Sequence, residues 1–445
     1  MTRTPAGNSR FRAVIGTAAV AAVLLTGCSG GGSGSDSGSE GGTEASEENP
    51  VTIRFSWWGS DTRAALTEEA IAGFEEMHPE IDVEPEPSAF DGYFDRLATS
   101  TAAGDAPDVI TLGGAYPLEY AARNALLPLS DVSEELDTSK FAPSILTNAT
   151  YEDELYGLPT GANTISLVAN PRIFEEAGVP LPDDDTWTWD DFVDIANEIS
   201  EKAPEDVYGY ESQPDDMDRV FIAQRGEPMY SEDGKLDVNA STMEEYWEMI
   251  TELRDGGGMP SAELTSEVVA AAPEQTLMGQ GRSAMVPAYS NQLATLAGAS
   301  GDELVLLKFP GESEYERPGM TLLPSQYFTI SAATEHPKES AMLIDYLLNS
   351  TEAGEVLLTD RGMPANPDIR SAISDKLDAS QQAELEFIDD IDASAGEGLP
   401  PQPAGAGIHN DLTIRLESDV LFDRLTPAEA AQQWVDELTN AIGSV

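Results

Sequence analysis

The run 51-VTIRFSW-57 alternates apolar and polar residues, and 64-AALTEEAIAGFEEMH-78 then places Leu66, Ala70, Ile71 and Phe74 on one helical face before Pro79 ends it. A period of two marks a half-buried strand and a period near 3.6 an amphipathic helix. A second strand begins at 81–83. Residues 90–103 read as a helix with Tyr93, Phe94 and Leu97 inward, and the turn Gly104-Asp105-Ala106-Pro107 leads into a strand over 108–112. Strand, helix, strand, helix, strand is the signature of α/β architecture with largely parallel sheets, and similar alternation continues along the chain.

The chain has 445 residues, 40% of them hydrophobic, enough for two domains with sizeable cores. Its single cysteine rules out an intramolecular disulfide and a cysteine-based metal site. Formal net charge is −58, from 81 acidic and 23 basic residues. A field of that sign repels phosphate backbones and anionic lipid, which excludes nucleic acid as a partner. The charge reads as a hydrated surface suited to a salt-rich habitat rather than as specific cation binding. On that reading the melting temperature climbs steeply with added salt in a thermal-denaturation series; a flat response would count against it.

Arg3, Arg10 and Arg12 precede the apolar stretch 13–25, too short for the roughly 20 residues of a membrane-spanning helix and laid out like a secretory signal. It ends in Leu25-Thr26-Gly27-Cys28, which resembles the bacterial lipobox. Residues 1–27 are thus expected to be removed and Cys28 to carry lipid; the alternative is a plain signal peptide with an incidental cysteine. Residues 28–49, rich in Gly, Ser and Glu, form a flexible tether.

Further along stand Phe55-Ser56-Trp57-Trp58-Gly59, Ala103-Gly104-Asp105-Ala106-Pro107-Asp108-Val109, Leu126-Leu127-Pro128-Leu129, Tyr156-Gly157-Leu158-Pro159, Leu167-Val168-Ala169-Asn170, Thr188-Trp189-Asp190-Asp191-Phe192, Gly279-Gln280-Gly281-Arg282-Ser283-Ala284-Met285 and Gly362-Met363-Pro364. In this order and spacing they resemble the extracellular solute-binding proteins of ABC importers, in the subgroup that takes up sugars and oligosaccharides. The resemblance implies a two-lobed periplasmic-binding-protein-like α/β fold of type II. The chain would cross between lobes near 159–162, near 311–320 and again after about 367. Lobe 1 would comprise 50–160 and 317–367, and lobe 2 would comprise 161–316 and 368–445. It also implies a monomer without cofactor or metal, delivering its solute to a permease while held by lipid at the outer face of the cell membrane.

Sugars need aromatic rings against their CH faces and paired polar groups for their hydroxyls. Trp57 and Trp58 end the first strand and point to opposite faces, so at most one is core and the other is free for a cleft. Trp58 with Asp61 is favoured, with Arg63 just beyond; a packed tryptophan and a helix-capping aspartate are the alternative. The Gly113-Gly114 turn permits close backbone approach, and Tyr116 and Glu119 follow it. Asn163 lies at the expected first crossing, where an amide serves either a hydroxyl pair or hinge backbone. Tyr289 and Asn291 stand where family members often place a tryptophan. Gln326, Tyr327 and Arg361 complete the candidates, each with an interlobe structural role as alternative.

Asp183-Asp184-Asp185 lacks EF-hand spacing and reads as a solvated loop. Trp189 reads as an N-terminal staple of a helix over 190–202, and the three histidines as loop or cap residues. A glycosidase would need two carboxyl groups about 5 to 9 Å apart, and the sequence holds no Gly-x-Ser-x-Gly, His-Glu-x-x-His or Walker A motif. A binding protein of the same fold for a polyamine or peptide is the nearer rival.

Overall fold

The structure is a computed structural model. It describes residues 50–443 apart from 91, 115, 214–215, 232, 270, 316, 395–399, 401 and 404, so the leader, Cys28 and the tether lie outside the described residues. The strands that shape the site are β1 (Val51–Trp58), β2 (Ile81–Ser88), β3 (Val109–Leu112), β4 (Gly157–Pro159), β5 (Gly161–Asn163), β6 (Ile165–Ala169), β7 (Met285–Tyr289), β8 (Val305–Leu307), β9 (Leu323–Pro324), β10 (Tyr327–Ile330) and β11 (Met363–Pro364). The helices used below are α1 (Asp61–Met77), α2 (Tyr93–Ala103), α3 (Trp189–Lys202), α4 (Met217–Gln224), α5 (Ala240–Gly256), α6 (Ala379–Ser394), α7 (His409–Leu421) and α8 (Pro427–Gly443).

β1 buries Ile53, Phe55 and Trp57 completely, as its alternation requires, and pairs in parallel with β2 from Val51 opposite Ile81 to Trp58 opposite Ser88. Pro85 and Pro87 lie on β2 because it is the edge strand of the sheet β2-β1-β3-β10-β4, where a missing N–H costs no ladder bond. Four of its five strands, β1 to β4, run in one direction; only β10, antiparallel to both β3 and β4, runs against them. The second sheet, β7-β6-β8, is antiparallel throughout. The expectation of largely parallel sheets therefore holds for the first sheet apart from β10 and fails for the second. β6 and β7 are joined by a long run of helices, and strand direction after such a run leaves no trace in local periodicity.

α1 begins three residues earlier than the apolar pattern suggested, because the Ser60 side chain accepts from the Arg63 N–H and caps it. Thr67, rather than Leu66, joins Ala70, Ile71 and Phe74 on the buried face. Its hydroxyl donates to the Arg63 carbonyl and accepts from Arg361, so a polar residue is paired in the core. Around the second sheet, α5 packs on α7 and α8, with Trp247 and Trp434 fully enclosed.

Three short strands join the two sheets. β5 follows β4 of the first sheet and precedes β6 of the second; β9 follows β8 and precedes β10; β11 lies between the first sheet and α6, which packs against β8. They form one antiparallel ribbon, β9-β5-β11. The passages thus run at 161–163, 323–324 and 363–364, displaced from the expected 311–320 and post-367 positions. Strands of two or three residues that pair only across 160 or more positions have no periodicity to read. Gly161 is required here: a Cβ on it would lie 2.2 Å from the Arg361 carbonyl oxygen.

A candidate ligand cleft

The C-terminal ends of β1 and β3, the start of β10 and the end of β4 meet at one sheet edge, since Leu112 pairs with Tyr327 and Tyr327 with Pro159. This edge gathers Trp58, Gly113, Gly114, Gln326 and Thr160, whose N–H donates to the Gln326 carbonyl at 2.9 Å. In an α/β sheet such an edge is where ligands sit. Trp58 is half-buried among Phe90, Tyr93 and Phe94, at ring separations of 5.9, 5.1 and 5.3 Å. Tyr116 stacks on Phe94 at 4.0 Å. Phe90 is 59% exposed, leaving an open aromatic surface beside Trp58.

The helix Tyr116–Ala122 packs on the turn Thr147–Ala149. Thr147 and Asn148 of that turn, with Ser144, form one wall of a cavity of about 110 Å³. Thr321, Leu323 and Pro324 of the joining segment are its floor. Asp216, Arg219, Ile165, Pro400 and Gln402 are the facing wall. The volume is below the roughly 300–1,000 Å³ usual for small-molecule pockets; in a two-lobed fold the angle between lobes sets it. Glu312 shapes the floor by accepting from the Gly319 and Met320 N–H groups and from Gln224.

The facing wall is an ionic network drawn from α4, α7 and β7. Asp216, left-handed at φ 58, takes the Tyr289 hydroxyl at 2.6 Å and lies 2.7 Å from Nε of Arg219. Behind it His409 Nε2 meets Asp218 Oδ2 at 2.7 Å, and Thr413 donates to the same oxygen. Burial pushes the Asp218 carboxyl up, but His409 and Arg219 more than offset this and hold it below its ordinary 3.8. Burial likewise pushes the Tyr230 phenol up, to about 12, against the opposing pull of Arg219. Asp216, Asp218 and His409 offer ligand atoms within 4.8 Å of one another. The Arg219 guanidinium lies beside them, 2.7 Å from Asp216 and 3.4 Å from His409 Nδ1, and supplies a positive charge to the group.

Several expected site residues lie elsewhere. Trp57 is wholly enclosed beside Phe55, at 4.8 Å, so it is core. Tyr327 is 1% exposed and its hydroxyl donates to the Ile145 carbonyl; burial raises its pKa, and it holds the turn carrying Ser144, Thr147 and Asn148 rather than facing the cavity. Arg63 and Arg361 share Asp360, at 2.8 and 3.1 Å, and Arg361 also donates to Thr67. Burial lowers the Arg361 pKa to about 10 despite Asp360. These two arginines join α1 to the turn before β11. Asp61 is exposed in the first turn of α1, where Ser60 is the cap. Asn291 is exposed on a 3-10 turn, and Glu119 pairs with Arg123 at 3.7 Å. Gly114 is left-handed at φ 56. Asn163 Oδ1 and Gln326 Oε1 are buried without a protein partner beside the cavity floor.

Sequence reasoning missed Phe90, Asn148, Asp216, Arg219, Thr321 and Gln402, and read His409 as a loop or cap residue. The run Asp215-Asp216-Met217-Asp218-Arg219 at a helix start was the one available signal. Asp184 and Asp185 hold Lys308, the first through its backbone N–H and the second through its ammonium. Trp189 opens α3, which Thr188 and Asp191 cap reciprocally, and its indole donates to Gln224.

Residues 58–353 match the family model for bacterial extracellular solute-binding proteins. The chain belongs to that family. An uncharacterized lipoprotein of Streptomyces antibioticus is 26% identical over 78% of this chain and 74% of its own length. An arabinooligosaccharide-binding protein of Halalkalibacterium halodurans is 27% identical over 46% of this chain, which spans about half, 48%, of that relative. The solved structure of a periplasmic oligogalacturonide-binding protein from Yersinia enterocolitica superposes with a TM-score of 0.76, at 24% identity, over 88% of this chain and 100% of that one. As in other solute-binding proteins of this family, the fold is two-lobed α/β, and the family acts outside the cytoplasm.

Proposed function

We propose that this solute-binding protein captures a sugar or oligosaccharide in the cleft between its lobes and delivers it to the permease of an ABC importer, without catalysing a reaction. The carrying observation is the composition of the cavity wall: hydroxyls of Ser144, Thr147 and Thr321 and amides of Asn148 and Gln402, with Asp216 as its one carboxylate among the described residues and that one ion-paired. Amides and hydroxyls both give and accept, as sugar hydroxyls need; a polyamine site would be ringed by unpaired carboxylates. A glycosidase would need a second carboxyl group at the cavity. The names of the arabinooligosaccharide- and oligogalacturonide-binding relatives support the same reading.

In this reading the lobes are divided at 161–163, 323–324 and 363–364, the ribbon β9-β5-β11 is the hinge, and closure traps the solute by its higher affinity for the closed state. Lipid on Cys28 and the tether 28–49 keep the monomer at the outer face of the membrane, raising its encounter concentration with the permease. A thermal-shift screen of mono- and oligosaccharides, polyamines and peptides tests it, because a ligand of the native state raises the melting point; stabilisation by a polyamine or peptide alone would sink the saccharide reading. With the saccharide in hand, Trp58→Ala and Tyr289→Ala should each weaken binding by about 1 kcal/mol or more in calorimetry. Unchanged affinity in both variants would remove them from the site.

A further inference from the structure

Resting on the saccharide reading, we propose that the cleft takes an uncharged sugar and turns away uronic acids, with Asp216 as the residue that sets this preference. The only ionisable side chains among the described residues lining the cavity are Asp216 and Arg219. They are 2.7 Å apart, so the one cation at the wall is already compensated from within. Behind them stands a second carboxylate, Asp218, met by His409 at 2.7 Å. Two carboxylates face one guanidinium and one imidazole, so the wall carries no uncompensated positive charge. Arg63 and Arg361, cations that the sequence offered for the site, share Asp360 and do not line the cavity.

A sugar carboxylate entering this space would lose its hydration and gain no counter-charge, which is the costly case of charge burial. It would also approach a chain of net charge −58. A neutral sugar meets neither obstacle. The Asp216 carboxylate has about four lone-pair positions; Tyr289 takes one on Oδ2, and Oδ1, though 2.7 Å from Arg219 Nε, accepts no hydrogen bond from the described residues, which leaves acceptor capacity for ligand hydroxyls. Asn148 and Gln402 offer both donors and acceptors from either side. Since an oligogalacturonide-binding protein shares this fold, the discrimination resides in side chains rather than in architecture.

Calorimetry on the full chain, with neutral pentose and hexose mono- and oligosaccharides set against oligogalacturonides of matched length, tests the proposal in wild type and in Asp216→Asn. Asparagine keeps the shape of aspartate and tolerates the left-handed backbone, and a melting curve checks the fold. Wild type is expected to bind a neutral saccharide, with affinity independent of salt, and to bind oligogalacturonides at least about a hundredfold more weakly. Asp216→Asn frees Arg219, so neutral binding should fall about tenfold while uronide binding rises. Oligogalacturonide binding to wild type as tight as that of any neutral sugar would overturn this inference and leave the saccharide reading standing. An unchanged ratio of the two affinities in Asp216→Asn would overturn the role of Asp216. Binding of no saccharide of either kind would overturn both readings together.

Discussion

Arg370→Ala is expected to lower the free energy of unfolding by about 3–5 kcal/mol, the range seen when one partner of a buried ionic group is removed. Arg370 is 2% exposed. Its guanidinium reaches the carbonyls of Pro364, the last residue of β11, and of Ala365, and the carboxylates of Asp389 and Asp392 on α6, at 2.9 and 2.7 Å. One side chain thus fastens the end of the hinge ribbon to a helix that packs on the second sheet. Truncation leaves two buried carbonyls unpaired and one partly buried carboxylate, Asp392, uncompensated. Asp389→Asn should cost far less, because that carboxylate is half-exposed and well screened. Denaturant titration measures both; a loss below about 1 kcal/mol for Arg370→Ala would show that the ribbon is fastened elsewhere.

The second large effect concerns pH. Burial raises the carboxyl groups of Glu384 and Glu417 from their ordinary 4.5 to about 7, the first bonded to Ser290 and the second to Ser212. An acid whose folded pKa is raised holds its proton in the folded chain after the unfolded chain has released it. Its stabilising contribution is therefore complete below about pH 4.5 and is lost as pH rises toward 7. The loss is on the order of 3 kcal/mol per group. Asp218 works in the opposite sense, its lowered pKa contributing above the ordinary aspartate value and fading as pH falls further. Stability should thus peak on the acid side of neutrality. Unfolding free energies at about pH 5 and pH 8 should differ by several kcal/mol in wild type, and by much less in a Glu384→Gln, Glu417→Gln double variant. Parallel pH profiles in the two proteins would rule this out.

What could be read from the sequence follows from the range of the interactions involved. The alternation of β1, the burial of Trp57 against the half-exposure of Trp58, and the amphipathic face of α1 are local, and seven to fifteen residues suffice to show them. The facing wall of the cleft is not local. Asp218 finds His409 across 191 positions and Tyr289 finds Asp216 across 73, and away from the cavity Arg63 finds Asp360 across 297. No periodicity encodes such pairs, which is why His409 looked like a loop or cap residue and Arg361 like a ligand group. Tyr327 misled for a related reason. A tyrosine before a strand at the right sheet edge reads as a cleft residue until its hydroxyl is seen to hold the Ile145 carbonyl.

The strand order has a consequence for how the molecule is made. β10 lies in the middle of the first sheet, between β3 and β4, so that sheet cannot close before residue 330 has been synthesised. The helical wall of the second half waits longer still, for α7 and α8 at the end of the chain. Contacts of such long sequence separation form slowly, because each must close a large loop before it is rewarded. A growing chain of this topology therefore cannot complete its first sheet or its helical wall until most of it exists. The topology that separates the two walls of the cleft along the sequence also postpones their meeting until almost all of the chain has been made.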